Sequence, residues 1–171
     1  MIFNSSRRIK NNTYYLLKII FKWESKVMLT FVFIRRINMY HFLKNCFPSL
    51  TRKTYNYTVR SPSFQGWVIG KQQNIDVCCC AIFRKEPKIK MGLFAVLPHY
   101  QNKGFGKEMY KYLCDQYHSF QWTTNTQKAY NFWIKCGATL IDIYIMDGIK
   151  YHLFKNTPIE KKNTPIEEKK K

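Results

Sequence analysis

The sequence predicts a mixed α/β domain: a central, largely antiparallel sheet, flanking helices and one parallel strand–helix–strand crossover. Three observations carry this expectation. Runs of β-branched and small apolar residues recur at 67–70, 75–83 and 89–97 with turn signals between them, which is a meander of antiparallel strands. The last run, MGLFAVLP at 91–98, passes through QNKGFG at 101–106 straight into the helical pattern KEMYKYLCDQY at 107–117. A short strand, FQWT at 120–123, follows that helix. A strand, a helix and a strand in the same direction make a right-handed crossover.

Taken in order, residues 1–27 read as a basic extension. Arg7, Arg8 and Lys10 precede the first acid, Glu24, and the apolar stretch 14–21 is broken by Lys18, so it makes no clean signal peptide. An acid-poor start with Ser and Asn also suits an organellar transit segment, and a helix packing on the domain or on a membrane surface competes with both. The folded unit is expected over 28–154. Its first strand is LTFVFI at 29–34, and 35–49 has mixed helical spacing stopped by Pro48. Residues 51–66 are polar and turn-rich, with Pro62 and Gly66. They are expected to form a loop, either a plain connector or a binding contact.

After the meander, helix 107–117 buries Met109 and Leu113 at four-residue spacing. A second helix lies within 124–138, with Ala129 and Phe132 on its core side and Gly137 at its C-terminal end. Two strands then form a hairpin, 139–146 and 149–154, around Asp147-Gly148. The tail 155–171 repeats itself (NTPIEKK, then NTPIEEKKK) and is charged and low in complexity, so disorder is expected.

Composition bounds the function. A chain of 171 residues has room for one domain with a real core. No apolar run approaches the roughly 20 residues of a membrane span. The net charge of +19 is uneven: residues 1–60 carry +11, 61–154 carry +5 and 155–171 carry +3. Such a field favours anionic partners, whether nucleic acid, membrane, an acidic acceptor or an anionic cofactor. Six cysteines occur, with Cys78, Cys79 and Cys80 in a row, but no CxxC and no metal spacing with His. Neighbouring strand residues face opposite ways, so the trio cannot form one site. The cysteines are expected to be reduced core residues of a cytoplasmic-type protein, and no metal is expected.

The chemistry concentrates at 101–106. A strand, a glycine-bearing loop and a helix N-terminus in succession aim backbone N–H groups and the positive end of a helix dipole at one spot. A phosphate fits there. Lys103 and Lys107 add charge of the right sign, and Gly104 and Gly106 let a pyrophosphate approach the backbone.

This segment resembles the acyl-CoA loop of the GNAT N-acetyltransferase superfamily, whose pattern Gln/Arg-x-x-Gly-x-Gly/Ala is matched by Gln101, Gly104 and Gly106. The preceding Val96-Leu97-Pro98-His99-Tyr100 reads like the superfamily's Val-x-Pro-x-Tyr strand end. A second motif, Asn-x-x-Ala-x-x-Phe-Tyr-x-x-x-Gly-Phe, is similar to the stretch holding Ala129, Phe132, Trp133 and Gly137. Thr126 stands where its Asn is expected, with Asn125 one place earlier. The resemblance covers roughly residues 28–154 and is most specific over 91–138. It implies a GNAT-like sheet whose two parallel strands splay to admit pantetheine, acetyl-CoA as donor, and direct attack by an amine on the acetyl carbon. The N–H groups of Asn102, Lys103, Gly104, Phe105, Gly106 and Lys107 would hold the pyrophosphate, with the Gln101 side chain nearby and Asn125 as a further contact. The main chain of Phe94, Ala95, Val96 and Leu97 would pair with pantetheine, and an N–H there would polarise the thioester carbonyl.

The acid–base groups depart from the superfamily's pattern. Many relatives protonate the leaving thiolate with a Tyr where this chain has Trp133, whose indole is no usable acid. Tyr130, one turn earlier, is the candidate acid, and His99, at the cofactor mouth, the candidate base. Each has a plainer alternative, packing for Tyr130 and a surface imidazole for His99. Two other readings stand beside the enzyme. One is an acyl-CoA-binding relative with little catalysis. The other is a nucleic-acid or ribosome-associated module acting through the basic N-terminal third. Lysine side chains, protein N-termini, polyamines, aminoglycosides and amino acids are all compatible acceptors.

Overall fold

The computed structural model describes residues 29–156. The expectations for 1–27 and for the tail from 157 lie outside the described residues. Strand β1 (Thr30–Ile34) leads to helices α1 (Tyr40–Cys46) and α2 (Arg52–Val59). The meander follows as β2 (Phe64–Gln72), β3 (Ile75–Lys85) and β4 (Lys88–Val96). A 3-10 turn at Pro98–Tyr100 leads into α3 (Phe105–Gln116), then β5 (Phe120–Thr124) and α4 (Gln127–Lys135). The hairpin β6 (Thr139–Met146) and β7 (Ile149–Lys155) closes the fold. The strands run in the order β1-β2-β3-β4-β5-β7-β6, and every pair is antiparallel except β4 with β5. The largely antiparallel sheet with a single parallel crossover is therefore present.

Two clusters of side chains sit on the two faces of this sheet. Under α3 and α4 lie Val68, Cys78, Cys80, Met109, Leu113 and Trp133 among others. Under α1 and α2 lie Leu43, Tyr55, Trp67, Ile69, Cys79 and Ala95. The consecutive cysteines thus alternate between faces as a strand requires, and all three are buried. Burial pushes all three thiols well above their ordinary range.

The stretch 51–66, expected as a loop, is instead α2 and the start of β2. The Thr51 side chain caps the helix, accepting from the Thr54 N–H at 3.1 Å. Tyr55 is the buried residue of this helix, and its hydroxyl accepts from the Met39 N–H at 2.9 Å. One buried ring in two turns leaves no apolar periodicity to read, so the cap and that ring carry the helix.

The folded unit also runs past the expected boundary at 154. Lys155 ends β7, and Asn156 is buried. Its side-chain oxygen accepts from the Phe120 N–H at 2.7 Å, and its amide donates to the carbonyls of Tyr117 and His118, both at 3.3 Å. This clamp ties the end of β7 to the turn between α3 and β5, the hinge of the parallel crossover. Asn156→Ala should lower the unfolding free energy by about 2–4 kcal/mol, since it strands a buried donor and two acceptors. Urea denaturation with an unchanged midpoint would show that the clamp contributes nothing.

Candidate active site

The site begins where β4 and β5 part. They pair at Ile89 with Phe120 and at Lys90 with Gln121, and not beyond. The cause lies in β4. Leu93 has φ +46°, and the β3–β4 register slips so that Leu93 and Phe94 together stand opposite Cys80. A bulge of this kind bends a strand and increases its twist. Past the bulge, the Leu97 N–H donates to the Val77 carbonyl at 2.9 Å. Antiparallel pairing alternates, so Ala95 and Leu97 turn their main chain to β3, while Phe94 and Val96 turn theirs toward the gap. Of the four residues expected to pair their main chain with pantetheine, Ala95 and Leu97 have theirs engaged by β3. The bulge has no sequence signal: Leu is a poor residue for positive φ.

The gap opens onto the loop between β4 and α3. Gly104 is the N-terminal cap of α3 with φ +91°, and a Cβ there would meet nothing within 4 Å. The first intrahelical bond, from the Glu108 N–H to the Gly104 carbonyl, is 3.1 Å long. The N–H groups of Phe105 and Gly106 precede it, so they aim out of the helix end with its dipole. No side chain caps this helix. Asn102, with φ +60°, curls the loop in the same sense, and Asn102, Lys103, Gly104 and Lys107 are exposed. The Lys103 ammonium lies 5.5 Å from the centre of the Tyr100 ring. The Phe105 side chain is buried, so that residue offers only its backbone.

Gly106 has a different reason to be glycine. A Cβ there would stand 3.1 Å from the Phe132 ring of α4 and 3.5 Å from Val96. The start of α3 is held close to α4 and the end of β4 by the absence of a side chain. Gly106→Val should cost about 1–3 kcal/mol by overpacking, because α3 is pushed away from α4 and the end of β4. Thermal melting would read this, and an unchanged midpoint would show that the close approach is not needed.

The Gln101 side chain braces the loop that precedes α3. Its amide donates to the Val96 carbonyl at 3.1 Å, and its side-chain oxygen accepts from the Lys128 ammonium of α4 at 3.1 Å. It therefore pins the loop to β4 and to α4. Lys128 was not legible beforehand, because a surface lysine on a first helical turn has no distinguishing pattern. Thr126 caps α4, its hydroxyl accepting from the Ala129 N–H at 3.3 Å, and Asn125 stands exposed just before it. The far end of α4 closes with two backbone bonds, Gly137 N–H to Ile134 and Ala138 N–H to Trp133, which is the glycine-terminated cap the sequence predicted.

Aromatic rings fill the wedge behind the gap. Trp133 is 4 % exposed and lies 4.8 Å from Phe94, 4.8 Å from Trp122 and 4.7 Å from Phe132, measured between ring centres. It joins β4 to β5 through side chains where backbone pairing has stopped. Tyr130 is half-buried, with its ring 4.7 Å from His152 and 5.7 Å from Phe154 of β7. The Nδ1 atom of His152 is buried and has no hydrogen-bond partner among the described residues. His152 sits mid-strand in an apolar alternation, and only the insertion of β7 between β5 and β6 brings it to Tyr130. His99 is exposed on the 3-10 turn. Among the described residues, no cluster of His, Cys, Asp and Glu is placed to hold a metal, and no helix is long and apolar enough to cross a membrane.

A sheet opened at its parallel pair, with a bare helix N-terminus at the opening, is the architecture of a coenzyme A-dependent acyltransferase. The chain belongs to the acetyltransferase (GNAT) family, whose sequence model matches residues 36–138. No curated protein matches it in sequence. Solved structures do match in fold. A GNAT family acetyltransferase from Elizabethkingia anophelis with acetyl-CoA bound shares 14 % identity at a TM-score of 0.60, over 74 % of this chain and 96 % of that one. A Bacillus subtilis acetyltransferase in complex with CoA has 14 % identity and a TM-score of 0.59, over 74 % and 97 %. The ribosomal-protein-S18-alanine N-acetyltransferase from Escherichia coli has 12 % identity and a TM-score of 0.59, over 78 % and 97 %.

Proposed function

We propose that this protein transfers the acetyl group of acetyl-CoA directly to a primary amine. One observation carries the reading: the opening between β4 and β5 and the N-terminus of α3 meet at the same place. A coenzyme A thioester would run its pantetheine arm along the outward-facing main chain of Phe94 and Val96, as an added strand. Its pyrophosphate would rest on the N–H groups around Gly104, Phe105 and Gly106, with Lys103 and Lys107 nearby. Gln101 and Lys128 would hold the loop in position, and Asn125 would border the same opening.

The neutral amine attacks the acetyl carbon, and a β4 N–H stabilises the developing oxyanion. The tetrahedral adduct gives the extra proton on its nitrogen to water and collapses, the C–S bond breaks, and the thiolate takes a proton. Tyr130 is assigned as the acid that supplies it, and His99 as the base that relieves the acceptor ammonium of its proton. Tyr130→Phe should lower kcat by roughly 100-fold with KM nearly unchanged, as expected for loss of a general acid. An unchanged kcat would reduce Tyr130 to a ring packed on His152. We further place the folded transferase unit over residues 28–156 and its work in the cytoplasm, in keeping with six unpaired cysteines.

The test is calorimetric titration of acetyl-CoA into the full chain, followed by single-turnover acetyl transfer to a panel of amines. Saturable binding with transfer supports the proposal. Binding without transfer to any amine favours an acyl-CoA-binding protein, and no binding by folded protein overturns both.

A further inference from the structure

Residues 29–75 carry seven Lys and Arg and not one Asp or Glu. Within this stretch α2 and its C-terminal cap, Arg60, carry a row of polar and cationic side chains on one face, apart from Arg52, which lies over the Tyr40 ring. Lys53, Asn56, Tyr57 and Arg60 fall at i, i+3, i+4 and i+7, which is a single helical stripe. Tyr55 points the opposite way, into the core. With Ser61 and Pro62, the stripe lines an open cleft of about 600 Å³. Tyr57 stands 83 % exposed in it. Among the described residues, neither Lys53 nor Arg60 is in an ion pair.

A large ring left in water between two unpaired cations adds nothing to the core. Its chemistry calls for a partner with negative charge and a flat face side by side. We propose that this stripe binds single-stranded nucleic acid, with Lys53 and Arg60 on phosphates, a base stacked on Tyr57 and the Asn56 amide at a base edge. An acidic peptide would satisfy the cations but offers no flat face to the ring. A duplex keeps its base faces stacked inside. The stripe runs about 10 Å along the helix and is open at both ends, as a continuing strand requires. None of these residues belongs to the proposed acetyl-transfer site, so the inference stands independently of it.

The experiment measures fluorescence anisotropy of labelled oligouridine and oligoadenine with the full chain across a salt series. Basic residues outside the stripe will also attract polyanions, so the variants decide. Tyr57→Ala should weaken binding roughly 10-fold at fixed salt, in the range measured for loss of one stacked base, with no change in net charge. Lys53→Ala/Arg60→Ala should lower the salt slope by about 1.4, the value for two phosphate contacts on a single strand. Lys135→Ala/Lys150→Ala removes equal charge elsewhere and should change the slope less. The proposal is overturned if the oligonucleotides do not bind at about 50 mM salt or if Tyr57→Ala binds as wild type. It is equally overturned if both double variants lose the same slope, or if polyglutamate displaces the strand more effectively than unlabelled oligonucleotide. That last result would assign the stripe to an acidic protein segment. Tyr57 is almost wholly in solvent, so its replacement leaves the fold intact, and circular dichroism checks this.

Discussion

Gly104→Glu should abolish measurable binding of acetyl-CoA while leaving a folded protein. The residue has φ +91°, so any side chain there strains the backbone, at a cost of roughly 1–2 kcal/mol. Space is not the obstacle, since a Cβ would meet nothing within 4 Å. The larger effect is electrostatic. A carboxylate at the cap of α3 would occupy the spot proposed for the pyrophosphate, where the helix dipole and the N–H groups of Phe105 and Gly106 favour an anion. A loss of affinity of two orders of magnitude or more is expected in calorimetry, with the melting temperature lowered by only a few degrees. Gly104→Asn separates the two causes, because Asn tolerates positive φ and carries no charge. It should retain most of the affinity. Wild-type affinity in Gly104→Glu would mean that the phosphates of the cofactor sit elsewhere.

Trp133→Ala is expected to be the most destabilising single substitution at the site, at about 3–5 kcal/mol. The ring touches β4 through Phe94, β5 through Trp122 and α3 through Tyr110, whose ring centre is 5.6 Å away. These contacts bridge two strands that backbone hydrogen bonds no longer join. The expected loss is a large part of the roughly 5–15 kcal/mol that keeps a domain folded. Urea denaturation should show a much lower midpoint, and acetyl-CoA affinity should fall as Phe94 loosens. Trp133→Phe should recover much of the stability. A midpoint for Trp133→Ala within experimental error of wild type would show that the wedge is held by something other than this ring.

The two helix N-termini and the crossover were legible because each announces itself locally. Gly104 and Gly106 stand between a strand run and an amphipathic helix, Thr126 precedes another helix, and Asp147-Gly148 interrupts alternating apolar residues. At this last turn both residues take positive φ, +50° and +73°, as a tight hairpin demands. What escaped the sequence depends on long-range pairing. The bulge at Leu93 exists because β3 and β4 are out of step at one position, and nothing in GLFA signals it. The turning of Ala95 and Leu97 toward β3 follows from that register. Lys128 reaches Gln101 across 27 positions, and His152 meets Tyr130 only because β7 lies between β5 and β6. Helix α2 was missed for the opposite reason: Tyr55 is its one buried residue, so its sequence looks like a loop.

The buried thiols have a practical consequence at the bench. Burial pushes Cys46 and Cys136 up to about 11, and the three cysteines of β3 higher still. Near pH 8, only on the order of one in a thousand of the Cys46 and Cys136 thiols is ionised and reactive. Each turnover of an acetyl-CoA-dependent transferase liberates one small, fully accessible thiol. A chromogenic disulfide reagent added to a running reaction would therefore colour faster with released coenzyme A than with the protein's own thiols. Three of the six cysteines are sealed inside β3, and this is what keeps the background of such an assay low.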